Sequence, residues 1–168
     1  MSVGEPRMNS VELQALLAAL EQTPAEVARA VNVVPEEHRR IRPTPEEFSI
    51  VENVCHLRDI EVDGYAQRIA RILNETNPTL ADVDGARLAI ERDYNSQQLE
   101  EALEVFRQTR ERNVQLLRTV AADDFHRKAI LEGAGEIDLL RLVTMMNDHD
   151  EGHLDELKRL VTRQLRDV

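Results

Sequence analysis

Apolar residues recur at three- and four-residue steps along most of the chain, and no segment alternates apolar and polar positions over a strand's length. Val11, Leu13, Leu16, Leu17 and Leu20 fall on one face, which predicts a first helix over 10–21 with Ser10 as its N-cap. Thr23-Pro24 reads as the end of that helix and the opening of a shorter one, since proline suits a first turn. The stretch 33-VVPEEHRRIRPTPEE-47, with three prolines, reads as a connector. A long second helix is predicted over 46–74, with Thr44-Pro45-Glu46-Glu47 as its start signal. A loop over 76–85, a short helix over 86–94, and a third long helix over 96–122 capped by Ser96 follow. Residues 123–135, with two glycines, read as a loop before a fourth helix over 136–165. No repeat or linker divides the chain, so the pattern predicts one all-α domain over 1–168: a four-helix bundle with short helices in its connections.

Composition narrows the partners. The chain has 168 residues, 21 basic and 32 acidic, for a formal charge of −11. Such a field repels phosphate backbones and argues against nucleic acid, the local cluster 38-HRRIR-42 notwithstanding. No helix carries the Lys/Arg-rich polar face that an anionic membrane surface would attract, and no apolar run approaches the roughly 18 residues of a spanning helix. The start, MSVGEPRMNS, lacks the basic and apolar stretches of a signal peptide. One cysteine, Cys55, precludes an internal disulfide and suits a reducing cytoplasm, the expected location.

The candidate chemistry lies in 147-NDHDEGHLDELKRL-160. The apolar stripe of the last helix runs Leu139, Leu142, Val143, Met146, then Leu157, Leu160 and Val161. Continuing it across the middle places His149, Asp150 and His153 toward the core, while Asp148, Glu151, Asp155 and Arg159 point outward. Buried imidazoles must be hydrogen-bonded, paired or metal-bound, and two at i, i+4 can converge on one divalent ion. Core histidines satisfied by carboxylates of a neighbouring helix are the alternative. The stretch 149-HDEGH-153 is one residue away from the zinc-protease motif His-Glu-x-x-His, but Asp150 is a methylene too short for its base and no histidine follows to complete the ligands. A third ligand must come from upstream. His38 lies in the proline-rich connector and His126 in a loop. His56 shares a stripe with Glu52, Asp59 and Asp63, opposite the larger apolar face of Val51, Val54, Cys55, Val62, Tyr65 and Ile69. Periodicity reads it as a surface residue beside acids, or as part of a groove that holds a metal.

With Phe48 ahead of the second helix, the run Glu-Asn-Val-Cys-His-Leu-Arg-Asp at 52–59, the segments 87-RLAIERDY-94 and 101-EALEVFRQTRERN-113, and the 149–153 pair, the chain resembles the DinB/YfiT-like superfamily of four-helix bundles over about 42–161. The resemblance implies a three-histidine divalent-metal site of His56, His149 and His153 at one end of the bundle, with positions open for water or substrate. It also implies a homodimer. Tryptophan is usual in the family where Phe48 stands, and 126-HRKAILEGAGEI-137 is less regular than the family leads one to expect before the last helix.

Family activities are heterogeneous, including metal-dependent thiol transfer or isomerisation and assigned hydrolases. A metal held by neutral imidazoles keeps its charge and lowers the pKa of water or a thiol, which links such a site to small-molecule thiol transfer or hydrolysis. Asp150 or Glu52 could orient a ligand or act as a base, Glu52 could also be a fourth ligand, and either could form a plain ion pair. Three imidazoles accept Zn, Ni, Fe, Co or Mn. Met145 and Met146 read as packing, and Cys55 as a buried structural thiol. The alternative to an enzyme is a non-catalytic bundle serving assembly or stress response.

Overall fold

The computed structural model describes residues 10–166; the N-terminal stretch read above for a signal lies outside these apart from Ser10. The long helices are α1 (Ser10–Asn32), the run formed by α2 (Ile50–Asp59), a π-helical turn (Ile60–Tyr65) and α3 (Ala66–Asn74), then α5 (Leu99–Thr119) and α6 (Leu139–Arg166). A short α4 (Gly85–Glu91) lies in the connection between α3 and α5. Both α1 and α2 pack against α5 and α6, which closes the all-α four-helix bundle.

Three local readings are corrected. Helix α1 passes through Pro24 instead of ending there. Proline offers no N–H to the carbonyl four residues back. The Leu20 carbonyl so freed accepts from Arg110 Nη1 at 2.9 Å, which removes the reason to break the helix. The second long helix starts at Ile50 rather than near Glu46, because Ser49 and Glu52 form a reciprocal capping box. Helix α5 begins after Gln98, so Ser96 is not its cap.

The two segments read as loops, together with residues 136–138 read as the start of the fourth helix, supply a small sheet in the order β1-β2-β3, so the last helix begins at Leu139 rather than Glu136. Here β1 (Thr79–Leu80) is parallel to β2 (Lys128–Leu131), and β2 is antiparallel to β3 (Gly135–Asp138). The β2–β3 turn uses Gly133 at φ 80° and Gly135 at φ 83°, conformations that favour glycine. Ala129, Leu131 and Ile137 point into the core from strands too short to show a clear alternation in sequence.

The core has two apolar halves. One gathers Leu17, Leu20, Ile60, Ile69, Val114 and Met146 against the sheet; the other gathers Val27, Val54, Leu57, Phe106, Leu154 and Leu157. Between them lies a polar layer centred on Arg110, of which only 1% of the side chain is exposed. Its guanidinium binds Glu61 of the π turn at 2.8 and 3.0 Å, Asp150 of α6 at 2.5 and 3.1 Å, and the Leu20 carbonyl of α1. Asn113 donates to Glu61 at 2.7 Å. One side chain thus joins all four long helices. The wide π turn aims Glu61 inward, so Glu61 is buried and Val62, expected on the apolar face, is only half-buried.

Candidate metal centre

Helix α2 is buried on nearly every side, because α4 and the 3-10 turn Tyr94–Ser96 fold over the face that periodicity assigns to solvent. Its acids therefore need partners. Asp59 binds Arg58 at 2.6 Å, Arg92 at 2.7 Å and the Tyr94 hydroxyl at 2.7 Å. Glu52 accepts from the Ser49 N–H at 2.8 Å and from Arg42 Nε at 2.8 Å, with a second short bond from Arg42 Nη2. Burial alone would raise both carboxyls, but their arginine and other donors hold them below the usual range. The expectation of Glu52 as ligand or base is not met, since its lone pairs are taken by the cap and by Arg42. Of the acidic stripe, only Asp63 stays substantially exposed, bound to Arg92 at 2.7 Å.

Within this covered groove His56 meets the other two histidines. One ring nitrogen from each of His56, His149 and His153 lies within 4.8 Å of the others, and among the described residues no other His/Cys/Asp/Glu group converges so. His56 Nε2 and His149 Nε2 are 3.3 Å apart. His153 Nδ1 is 2.9 Å from Asn53 Oδ1. Asn53 can only accept through that oxygen, so His153 donates its Nδ1–H and keeps the Nε2 lone pair for the shared centre. Phe48 lies 5.8 Å from the His56 ring on one side. Tyr65 stands edge-on to His149 at 6.0 Å and donates to the Met145 carbonyl at 3.3 Å. The site is about midway along α6, beside the polar layer, rather than at one end of the bundle.

Burial, then the neighbouring His153 and His149, push the pKa of His56 down to about 3; burial and His149 push His153 down to about 4. Both are neutral near pH 7, the form that ligates. The donor set fits a divalent ion. Nitrogens bound to one tetrahedral ion at metal–nitrogen lengths of 2.0–2.1 Å stand roughly 3.3 Å apart, close to the His56–His149 separation. Nδ1 of His56 and of His149 are buried with no hydrogen-bond partner, and the two rings meet each other through Nε2.

Asp150 faces inward as expected, with 3% of its side chain exposed, but Arg110 claims it. Burial would raise its carboxyl, and the guanidinium more than offsets that. Its oxygen is 3.9 Å from His149 Nδ1, beyond hydrogen-bond length. The carboxylate nearest the triad and free of arginine is Glu156, 3.5 Å from His153 Nδ1. Sequence reading missed Glu156 and Asn53; the i, i+3 step from His153 signals the first, and only the fold brings the second into place. His126 pairs with Asp138 at 3.4 Å and His38 sits in the 3-10 turn Glu36–His38; neither joins the triad. Met146 and Cys55 are fully buried, and burial raises the thiol to about 11, which suits packing rather than nucleophilic chemistry.

A groove of about 370 Å³, lined by Pro43, Glu47, Glu156, Arg159, Leu160 and Arg163, opens one turn beyond His153. Neither this groove nor a larger cavity of about 570 Å³, which includes Lys158, Thr162 and Arg166, is lined by any of the three histidines. Glu156, which lines the smaller groove and stands 3.5 Å from His153 Nδ1, is what links that groove to the triad.

Residues 19–157 match the DinB superfamily. The chain belongs to that family. Its fold is similar to that of a DinB-like protein of known structure, YfiT from Bacillus subtilis, at 20% identity and a TM-score of 0.87 over 95% of this chain and 91% of that one. That structure is described as "a probable metal-dependent hydrolase with an unusual four-helix bundle topology". No curated protein gives a significant match. No helix among the described residues of this DinB-superfamily chain is long and apolar enough to cross a membrane.

Proposed function

We propose that His56, His149 and His153 hold a divalent metal ion, and that the protein uses it to hydrolyse a small molecule lying in the groove beside Glu156. The observation that carries this reading is the convergence of three ring nitrogens within 4.8 Å from two antiparallel helices. The description of YfiT as "a probable metal-dependent hydrolase" supports the reaction class. The bound ion would supply a Lewis acid that makes water, or a thiol, nucleophilic near neutral pH. The chain's own part is to present three converging imidazoles, to fix the His153 ring through Asn53, and to pack the site against Phe48 and Tyr65. In this reading Glu156, 3.5 Å from His153 Nδ1, accepts a proton at the groove mouth. Thiol transfer is the same activation with sulfur in place of water.

A non-catalytic metal-binding bundle is the second reading. It is favoured by one observation: Glu52 and Asp150, the two acids that the sequence offered as bases, are both committed to arginine. Elemental analysis of tag-free protein purified without chelator, beside His56→Ala, tests the site. Near-stoichiometric metal that is lost in the variant is the expected result; no metal in either, even after divalent ions are added, would sink the proposal. Hydrolysis of a panel of activated esters and amides by the loaded protein, lost in His56→Ala, separates enzyme from binder.

A further inference from the structure

Gly85 opens α4 with its backbone against the imidazole of His56. A Cβ built on Gly85 would stand 2.5 Å from His56 Nδ1 and closer still to Cε1. No real Cβ tolerates such a contact, so any side chain at position 85 displaces either this backbone or this ring. The backbone is held. Asp84 caps α4 by accepting from the Arg87 N–H at 2.9 Å, and Arg68 donates to the Ala81 carbonyl at 2.9 Å. The Asp82 N–H donates to Glu132 at 3.1 Å, and β1 pairs with β2. The His56 ring is the freer of the two. It has no hydrogen bond from Nδ1, and its neighbours are Phe48 at 5.8 Å, His149 at 5.5 Å and His153 at 4.6 Å.

We propose that Gly85 is a positioning residue for the metal centre: the absent side chain leaves the space in which His56 turns toward His149 and His153. The claim rests on the reading of the triad as a metal site, and it assigns that site a determinant outside the helices that carry the ligands. The connection between α3 and α4, fastened to the sheet, acts as a backstop for the third ligand. A residue larger than glycine at 85 leaves a folded bundle with two histidines in place and the third displaced.

The test compares wild type, Gly85→Ala, Gly152→Ala and His56→Ala by zinc titration against a competing chelator, with urea midpoints of the metal-free proteins. Gly152 adjoins His153 in sequence, yet a Cβ there meets nothing within 4 Å, so its variant controls for a methyl added near the site. Gly85→Ala is expected to lose about tenfold or more in zinc affinity, approaching His56→Ala, while its metal-free midpoint stays near that of wild type. Gly152→Ala is expected to bind zinc like wild type. Zinc affinity unchanged in Gly85→Ala overturns the proposal. A metal-independent readout accompanies it: the nuclear Overhauser contact between the Gly85 α protons and His56 Hε1 in metal-free wild type. Absence of that contact also overturns the proposal, whether or not the variant folds. Its presence in a wild-type protein that takes up no zinc would sink the metal reading and leave the packing of Gly85 on His56 standing.

Discussion

At the scale of the residue, the triad depends on His56 and His153 staying neutral while crowded together. His56 and His153 are held at about 3 and about 4, whereas a histidine in an unfolded chain titrates near 6.5. Between those values the unfolded chain binds protons that the folded chain refuses, so metal-free stability falls as pH drops from about 6.5 toward 4. Glu52, Asp59 and Asp150, whose carboxyls are held low, add a further loss at more acid pH as each protonates in the folded state. Urea midpoints of metal-free protein across pH 4–8 should show this slope, and it should flatten in His56→Ala/His153→Ala; a flat wild-type profile would contradict it. Asn53 orients His153 and is not itself a ligand. Asn53→Ala should weaken zinc binding by roughly 10–100-fold, the usual cost of losing such a partner, without removing the site. An affinity equal to that of wild type would show that His153 is oriented by other contacts.

At the scale of the element, periodicity located the long helices and misplaced their ends. The last helix was the most legible: His149 and His153 are half-buried, Asp150 is buried, and Asp148, Glu151, Asp155 and Arg159 are exposed, as the stripe requires. Helix α2 was the least legible. An acidic stripe opposite an apolar one reads as surface, yet α4 and the turn after it cover that stripe and arginines neutralise it. Arg110 and Asn113 sit at core positions of α5, in step with Phe106 and Val114, and that misplaced polarity was a signal available in the sequence. Gly152 sits exposed in the interior of α6 without a contact that requires it. Gly152→Ala should raise stability by about 0.5–1 kcal/mol, read as a higher urea midpoint, because alanine loses less backbone freedom in a helix. A lower midpoint would mean that the glycine serves the local backbone.

At the scale of the whole molecule, the bundle is two apolar halves joined through a charged layer. Arg110 is the only cation in that layer among its described members, facing Glu61 and Asp150. Removing it strands two buried carboxylates and the carbonyl that Pro24 leaves open. Arg110→Ala should therefore cost about 3–5 kcal/mol, measured as a fall in the urea midpoint. Arg107→Ala, which breaks exposed pairs to Glu104 and Glu111, should change little. Similar midpoints for the two variants would refute the view of the layer as a central clasp.

The sequence by itself determined the helical class, the inward turn of His149 and His153 and, through family resemblance, the nomination of His56. Those features are written in short-range spacing, where 100° per residue converts position into direction. The tertiary structure alone decided that α1 runs through Pro24, that three short strands close one half of the core, and that Glu52 and Asp150 serve arginines rather than the histidines. It also decided that Gly85 must be small. Each of these depends on a partner between roughly 10 and 90 residues away in the chain, which no local period encodes: Arg110 for Leu20, β2 for β1, Arg42 for Glu52, and His56 for Gly85.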